Sequence, residues 1–285
     1  MKDRKIILPA PAKVNLFLEI TGKRDDGYHN LYTLFLKIAL TDMLTFSPRR
    51  SGIVFSCSDP ALATAENLVC RAAALLQKTS GFSGGARIHL RKRIPCAAGL
   101  GGGSSDAAAT LLGLNRLWGL GWDASRLLPL ARKLGADVPV FIRPEPLLIG
   151  RGRGDILRPV PKPWQCWLVL VKPAAAVSTG EIFRSVALPL TKKTNNVKLL
   201  LYALAQGDYR RAALYMYNRL ETVTLNKYSE LAQIKKAFFA LGVPAVLMSG
   251  SGSVIFGLVP QREEALRVGK QLQGFGDVMV VAANR

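Results

Sequence analysis

The sequence predicts an α+β protein of two domains, which we place at residues 1–158 and 159–285. Each half of the chain mixes short apolar runs of strand length with longer stretches whose apolar residues recur at helical spacing. A segment rich in proline and arginine, RGRGDILRPVPKPW (Arg151–Trp164), separates the two halves. Mixed strands and helices in both halves favour two layered domains with a ligand in the cleft between them.

The individual elements follow from apolar spacing and from the residues that begin or end helices. In the first half, the predicted strands are Val14–Ile20, Leu34–Leu40 and Ala86–Leu90, and the predicted helices are Glu66–Thr79, Asp106–Trp118 and a third that Asp123 caps and Gly135 ends. In the second half, the predicted strands are Cys166–Lys172, Ala245–Met248, Ser253–Val259 and Asp277–Ala282, and the predicted helices are one capped by Ser229 and one over Arg262–Gln273.

The composition argues against several classes of protein. No apolar run approaches the roughly 18 to 20 residues of a membrane-spanning helix, and the first residues, MKDRKIILPAPAK, lack the apolar region of a secretion signal. The four cysteines form no C-x-x-C pair and there are only two histidines, which disfavours a zinc site or a disulfide framework. We therefore expect a protein of the bacterial cytoplasm with no membrane partner.

The net charge of +20, from 39 basic and 19 acidic residues, is unusually high. Such a surface attracts anions, whether nucleic acid, anionic lipid or small phosphorylated ligands. The basic residues are spread along the chain and form no recognisable nucleic-acid-reading motif, so no specific nucleic acid is expected. A solvated basic face without a single partner remains an equal alternative, and nucleic-acid binding through charge alone remains a lesser one.

A glycine-rich stretch, CAAGLGGGSSDAAATLL (Cys96–Leu112), joins an apolar approach to a strong helix-forming sequence. A glycine-rich turn that leads into a helix points free backbone N–H groups and the positive end of the helix dipole at an anion. Glycines also let the backbone approach phosphate oxygens closely. A flexible linker is the alternative, but linkers are rarely held between two buried elements.

Two common phosphate-binding patterns do not fit this loop. The Walker pattern requires a lysine that is missing before Ser104, and the pattern G-x-G-x-x-G counted from Gly99 ends on the same serine. A second cluster of glycine and serine, MSGSGSVIFG (Met248–Gly257), lies between two predicted strands. On its own it is typical of a tight hairpin, but one such cluster in each half is harder to dismiss.

Three stretches together resemble the motifs of the GHMP small-molecule kinases: PAKVNLFLEITGKRDDGYHNL (Pro11–Leu31), IPCAAGLGGGSSDAAATL (Ile94–Leu111) and MSGSGSVIFG. GADVPVF (Gly135–Phe141) and VSTGEIF (Val177–Phe183) also fall where one branch of that family has matching stretches. The resemblance implies an N-terminal ATP-binding domain, a C-terminal ferredoxin-like domain and an active site in the cleft between them. It implies transfer of phosphate from ATP to the 2-hydroxyl of methylerythritol linked to cytidine diphosphate, in the non-mevalonate isoprenoid pathway.

The resemblance also assigns the ATP site to a phosphate loop over residues 96–106. The implied ATP contacts are Pro95, Ala97, Ala98, Gly99, Leu100, Gly101, Gly102, Gly103, Ser104, Ser105 and Asp106, with Asn67 near the adenine. An asparagine directly before a helix is equally well explained as a helix cap. Magnesium is implied as the companion of ATP, but the sequence offers no dedicated set of carboxylates to hold it, so its ligands stay unassigned.

The catalytic pair implied by the family pattern is Asp137 as the base for the accepting hydroxyl, with Lys13 beside it. A carboxylate can accept the hydroxyl proton, while an ammonium offsets the developing phosphate charge. From spacing alone, Asp137 is better explained as a turn or cap residue before Val138. Lys13 alone would be a surface lysine with its stem along apolar residues.

The substrate contacts implied by the resemblance lie in three parts of the chain. Tyr28, His29 and Phe183 match positions that hold a cytosine ring, since aromatic faces can stack on a planar base. The alternative is that Tyr28 and Phe183 are core aromatics. The further implied contacts are Asn15, Thr179, Gly250, Ser251 and Gly252. A different GHMP kinase, acting on a mevalonate- or homoserine-type alcohol, is the other enzyme hypothesis, and we expect a monomer or a weak homodimer.

Overall fold

The structure is a computed structural model, which describes residues 5–161, 164–186 and 196–283. The strands are β1 (Ile6–Lys23), β2 (His29–Arg49), β3 (Ile53–Cys57), β4 (Gly85–Arg91), β5 (Leu147–Arg151), β6 (Ile156–Pro159), β7 (Trp167–Lys172), β8 (Tyr217–Asn218), β9 (Val246–Met248), β10 (Ile255–Val259) and β11 (Asp277–Ala282). The helices are α1 (Leu68–Ser80), α2 (Gly102–Leu117), α3 (Ala124–Leu134), α4 (Val138–Ile142), α5 (Thr179–Arg184), α6 (Asn196–Ala205), α7 (Tyr209–Ala213), α8 (Arg219–Lys227), α9 (Ser229–Ala240) and α10 (Arg262–Gln271).

The described residues divide into two compact units that are not continuous in sequence. The first unit holds the described residues up to Ala12, then Leu40–Cys96 and Gly101–Pro144. The second unit holds Lys13–Ala39, Ala97–Leu100 and the described residues from Glu145 onward. The long strands β1 and β2 therefore contribute to both units, and the single division at residue 158 stays a prediction.

In the first unit, β4 pairs in parallel with β3 and antiparallel with the C-terminal part of β2. Two helices of this unit are capped by residues that the sequence analysis named as caps or possible caps, although α1 begins at Leu68 and not at Glu66. The Asn67 side chain accepts a hydrogen bond from Val69 N at 2.9 Å to cap α1, and Asp123 does the same for α3 through Arg126 N at 3.0 Å. Gly81 ends α1 in the left-handed conformation, which costs a glycine little.

In the second unit, the N-terminal part of β2 pairs with β5, β5 pairs with β6, and β1 pairs in parallel with β8. A separate antiparallel sheet has the order β11-β7-β10-β9. Helices α5 to α9 follow β7 and α10 follows β10, so the chain order around this sheet is β-α-β-β-α-β. The predicted α+β class and ferredoxin-like C-terminal domain are confirmed.

The core of this C-terminal sheet is formed by apolar side chains from both the sheet and its helices, among them Val169, Val171, Leu231, Phe238 and Ile255. Leu18 and Ile20 of β1 join the same cluster, so this strand is fixed against the sheet within the second unit. None of the described helices is both long enough and apolar enough to cross a membrane.

Most predicted limits differ from the structure by a few residues, and β1 and β2 extend well beyond the predicted strands Val14–Ile20 and Leu34–Leu40. Helix α2 begins at Gly102 rather than at Asp106, so part of the glycine loop is already helical. Ser229 is the first residue of α9 and not its cap, which is Tyr228. Helices α6, α7 and α8 lie in a region where the sequence led to no predicted element.

Gly113 provides a direct test of packing in the first unit. A Cβ atom at this position would lie 2.4 Å from Cε2 of the fully buried Phe46. Glycine to alanine inside a helix normally stabilises by about 1 kcal/mol, but overpacking a core costs about 1–3 kcal/mol. We expect Gly113→Ala to lower the free energy of unfolding, measured by urea denaturation. Gly274→Ala, where a Cβ atom meets nothing within 4 Å, is the control; a stabilised Gly113→Ala protein would contradict this packing.

Candidate active site

The side chain of Lys13 lies inside the second unit. Only 4 % of this residue is exposed, so the alternative of a surface lysine is wrong. Its Nζ donates hydrogen bonds to Asn15 Oδ1 at 2.8 Å and to the carbonyl oxygen of Gly99 at 3.0 Å. A buried ammonium is expensive unless it is hydrogen-bonded, and these two acceptors fix its position.

Asn15 is held from its other side by the neighbouring strand. Its Nδ2 donates to Thr33 Oγ1 at 2.8 Å, and Thr33 Oγ1 donates to the carbonyl oxygen of Phe17 at 2.7 Å. This chain of bonds orients the amide so that its oxygen faces Lys13. Asn15 thus lies in the same buried polar cluster as Lys13, next to it on β1.

Residues 97–100 of the glycine loop pack against the second glycine cluster within this unit. Gly99 has a φ of 74°, and a Cβ atom on it would lie 2.0 Å from the carbonyl oxygen of Ser249. Ser249 Oγ donates to the Gly99 carbonyl at 2.9 Å, and Val254 N donates to the Ala98 carbonyl at 3.3 Å. A loop held in this way is not a flexible linker.

The second cluster does connect two antiparallel strands, β9 and β10, as the hairpin interpretation predicts. It is also fixed by Asn218, a residue that the sequence analysis missed. Asn218 Nδ2 donates to the carbonyl oxygens of Met248 at 2.8 Å and Gly250 at 2.7 Å, while its Oδ1 caps α8. Thr179 Oγ1 lies 2.8 Å from Ser251 Oγ, so these two predicted substrate contacts are neighbours.

The remaining part of the glycine loop begins helix α2 in the first unit. Gly101 has a φ of 70° and precedes the helix without a side chain to cap it. The first N–H groups of a helix have no partner within it, so this end of α2 offers donors to an anion. Among the other predicted loop residues, Ala98, Leu100 and Ser105 are buried, Pro95, Gly102 and Ser104 are half-buried, and Ala97 and Gly103 are exposed.

Beneath the start of α2 lies a buried charged cluster that the sequence analysis also missed. Lys92 Nζ bonds to carboxylate oxygens of both Asp42 and Asp106, the latter at 2.9 Å. Asp42 Oδ1 additionally accepts from the backbone N–H groups of Arg93 and Ile94. Asp42 therefore ties β2 to the entry of the loop, and Lys92 ties both to the first turns of α2.

Asp106 is the carboxylate of this cluster that lies in helix α2. Burial raises the pKa of its carboxyl group to about 7, although the charge of Lys92 acts in the opposite direction. Its Oδ1 and the neighbouring Ser105 Oγ are both buried without a hydrogen-bond partner in the described part of the chain. Buried polar atoms of this kind are rare in folded proteins, and both lie within the first two turns of the helix that the loop starts.

The predicted base-binding residues are only partly brought together. The rings of His29 and Phe183 lie 5.6 Å apart between centroids and 30° from parallel. Phe183 also packs along the edge of the core cluster, whereas Tyr28 is 52 % exposed and is no core residue. The guanidinium carbon of Arg153 lies 5.1 Å from the centre of the Tyr28 ring.

The pKa of His29 is lowered, first by burial and then by the charge of Lys23. The lowered pKa favours the neutral imidazole at neutral pH.

Asp137 precedes α4 but does not cap it. Its carboxylate makes no capping hydrogen bond to the helix, and the residue is half-buried. Asn67 shows the opposite behaviour, because its Oδ1 caps α1 and its Nδ2 donates to the Leu62 carbonyl at 2.8 Å. The cap interpretation is therefore confirmed for Asn67, while the Asp137 side chain makes no capping hydrogen bond to α4.

Within the described ranges, no three histidine, cysteine, aspartate or glutamate side chains are grouped closely enough to hold a metal ion.

Comparison with known proteins gives consistent matches along the chain. The sequence matches the family of GHMP kinases over its N-terminal domain at residues 67–144 and over its C-terminal domain at residues 200–278. A 4-diphosphocytidyl-2-C-methyl-D-erythritol kinase from Moorella thermoacetica is 44% identical over 272 residues, which is 94% of this chain and 95% of the relative.

Solved structures give the same result. A crystal structure of 4-(cytidine 5'-diphospho)-2C-methyl-D-erythritol kinase superimposes with a TM-score of 0.85 at 39% identity, covering 98% of this chain and 100% of that one. Homoserine kinase from Cytophaga hutchinsonii has a TM-score of 0.80 at 20% identity, covering 100% of this chain and 96% of that one, and so shares the fold. The chain belongs to the GHMP kinases, and within them to the family of 4-diphosphocytidyl-2-C-methyl-D-erythritol kinases.

Proposed function

We propose that this chain transfers the γ-phosphoryl group of ATP to the 2-hydroxyl of 4-diphosphocytidyl-2-C-methyl-D-erythritol, a step of the non-mevalonate isoprenoid pathway. The observation that carries the choice of substrate is the close pair of His29 and Phe183 rings, with Tyr28 next in the chain and largely exposed. Such rings can stack on a planar base. Mevalonate and homoserine contain no planar base, so they would not use these rings.

ATP binding is assigned to the glycine loop, residues 96–106. The N–H groups at the start of α2 offer donors to the phosphates, and the glycines allow close approach. Residues 97–100 contribute through their backbone, since the side chains of Ala98 and Leu100 are buried. Contact of Asn67 with the adenine stays a prediction, because its amide is already used in capping α1.

Magnesium fits this site as a companion of the phosphates. Ser105 Oγ and Asp106 Oδ1 are buried oxygens without a described partner within the first two turns of α2, and such oxygens suit this hard cation. We propose that they take part in holding the ion, directly or through water. When bound, the ion neutralises charge on the transferred phosphate.

Lys13 and Asp137 are assigned to the chemical step. The ammonium of Lys13 is held at a fixed place by Asn15 and by the Gly99 carbonyl, which suits a group that must stabilise developing charge without rearranging. Asp137 offers a carboxylate that is not used as a helix cap. We propose that it accepts the proton of the 2-hydroxyl as the bond to phosphorus forms.

The cytidine end of the substrate is assigned to His29, Phe183 and Tyr28. The lowered pKa of His29 leaves a neutral ring, which can donate from one nitrogen and accept at the other. Thr179 and Ser251, whose hydroxyls lie 2.8 Å apart, are proposed as further substrate contacts with Gly250 and Gly252. A cytoplasmic location and a monomer or weak homodimer remain predictions.

The substrate assignment is tested by measuring ADP release with ATP and magnesium. The acceptors to compare are 4-diphosphocytidyl-2-C-methyl-D-erythritol, mevalonate, homoserine and galactose. We expect turnover with the first alone, because only this acceptor carries a base. Turnover with a different acceptor would support the kinase assignment but contradict the assignment of a cytosine site. If the folded protein turned over none of the four acceptors, both assignments would be contradicted.

The role of Asp137 is tested by Asp137→Asn, which keeps the size of the side chain and removes its basicity. We expect kcat to fall by about 100- to 10,000-fold, the usual contribution of a positioned base, with little change in ATP affinity. Asp277→Asn, an exposed position on β11, is the matched control. If kcat of Asp137→Asn equals that of the control, Asp137 has no part in the chemical step.

A further inference from the structure

The second unit contains a cavity of about 490 Å³ to which neither the ATP site nor the substrate site has been assigned. Its size lies in the range of small-molecule sites. We call it the Arg151 pocket, and its lining residues are Thr21, Asn30, Leu31, Tyr32, Arg151, Gly152 and Lys198.

Of the three β2 residues that line the Arg151 pocket, Asn30 and Tyr32 lie on the other face of the strand from His29, and Leu31 lies on the same face as His29. Successive side chains of a strand point to opposite faces, so Asn30 and Tyr32 point away from the face on which His29 meets Phe183. Tyr32 instead makes an edge contact with Phe17 at 6.0 Å between ring centroids. Neither His29 nor Phe183 lines the pocket, so a ligand held by Asn30, Tyr32 and Arg151 would not have to displace a base stacked on those two rings.

The charges that line this pocket are positive only. Arg151 and Lys198 are both exposed, and neither forms an ion pair with a carboxylate in the described part of the chain. The guanidinium carbon of Arg151 lies 5.5 Å from the centre of the Tyr32 ring, which helps to fix its position. Two cations without a counter-ion beside one cavity give it a positive potential.

The other polar groups of the pocket add donors. Asn30 Oδ1 accepts from Arg24 Nη1 at 3.2 Å, and the Asn30 carbonyl accepts from Thr21 Oγ1 at 3.2 Å. The acceptors of Asn30 are thus engaged, which leaves its amide NH2 group as a donor. Tyr32 also lines the pocket, and a tyrosine hydroxyl can donate a hydrogen bond.

We propose that the Arg151 pocket binds a small molecule bearing a diphosphate group. Arginine presents a planar fork of donors that matches phosphate oxygens, and lysine adds a second positive charge. A diphosphate supplies the matching negative charges and enough oxygens for the remaining donors, and it fits the volume. Two kinds of ligand share this chemistry: inorganic diphosphate, and a diphosphate linked to a small organic group.

This assignment is tested by isothermal titration calorimetry with inorganic pyrophosphate and with methyl diphosphate, at about 0.15 M salt. Saturating ADP without divalent cations keeps the phosphate loop occupied. We expect saturable binding to the wild-type chain, and Arg151→Gln combined with Lys198→Gln should weaken it by roughly tenfold or more. Tighter binding of methyl diphosphate would identify the ester-linked form as the source, and tighter binding of pyrophosphate the inorganic form.

The matched control removes the same charge elsewhere: Arg210→Gln combined with Lys270→Gln, both at exposed positions outside the pocket. Its affinity should stay within about twofold of wild type. Equal losses in both double variants would show attraction by the overall charge and overturn the proposal. Absence of saturable binding, or unchanged binding after the pocket substitutions, would overturn it as well. Thermal melting verifies that each variant is folded, and because no turnover is measured, the result is independent of the kinase assignment.

Discussion

The buried ammonium of Lys13 is the interaction on which the arrangement of the second unit's motifs depends. It joins β1 to the glycine loop through the Gly99 carbonyl, and it uses Asn15 as a second acceptor. Removing a charge from water is costly, so a buried lysine must be hydrogen-bonded, and Asn15 and Gly99 supply the acceptors. The requirement fixes the loop relative to the strand, and it explains why a lysine that looks like a surface residue in the sequence lies inside.

The same carbonyl constrains the second glycine cluster. Ser249 Oγ also donates to Gly99, and the two backbones approach so closely that a Cβ atom on Gly99 could not be accommodated. Gly250, with a φ of 56°, lies beside the same residue. These glycines therefore serve the contact between two loops as well as any approach to phosphate. Asn218 supports the arrangement from the opposite side by binding two carbonyl oxygens of the cluster.

The sequence predicted most elements whose pattern is local. Strand β11 agrees in both limits, and the caps Asn67 and Asp123 agree because capping needs only the next few residues. Helix α2 begins earlier than expected, since glycine is a poor helix former and the tertiary surroundings override that preference. The helices between residues 196 and 227 were missed because their apolar spacing was not recognised.

Sequence motifs predicted the residues of the candidate site, but they did not predict the residues that hold those motifs in place. Asp42, Lys92 and Asn218 make contacts with residues far away in sequence, which no local pattern reveals. One indication was present: a charged residue inside an apolar strand needs a buried partner. Glu19 of β1 is fully buried and pairs with Arg219 at 2.8 Å, and Asp42 of β2 follows the same rule.

The most direct test of this account compares Lys13→Arg with Lys13→Met in kcat/KM for 4-diphosphocytidyl-2-C-methyl-D-erythritol, scaled to the folded fraction from thermal melting. In the structure, the Lys13 ammonium lies 3.0 Å from the Gly99 carbonyl oxygen. An arginine guanidinium is larger and planar, so it should not place its charge at the same point. The account predicts that both variants lose about 100-fold or more, as expected for losing a positioned electrostatic group. A folded Lys13→Arg enzyme with near wild-type kcat/KM would show that positive charge alone suffices, and would contradict the account.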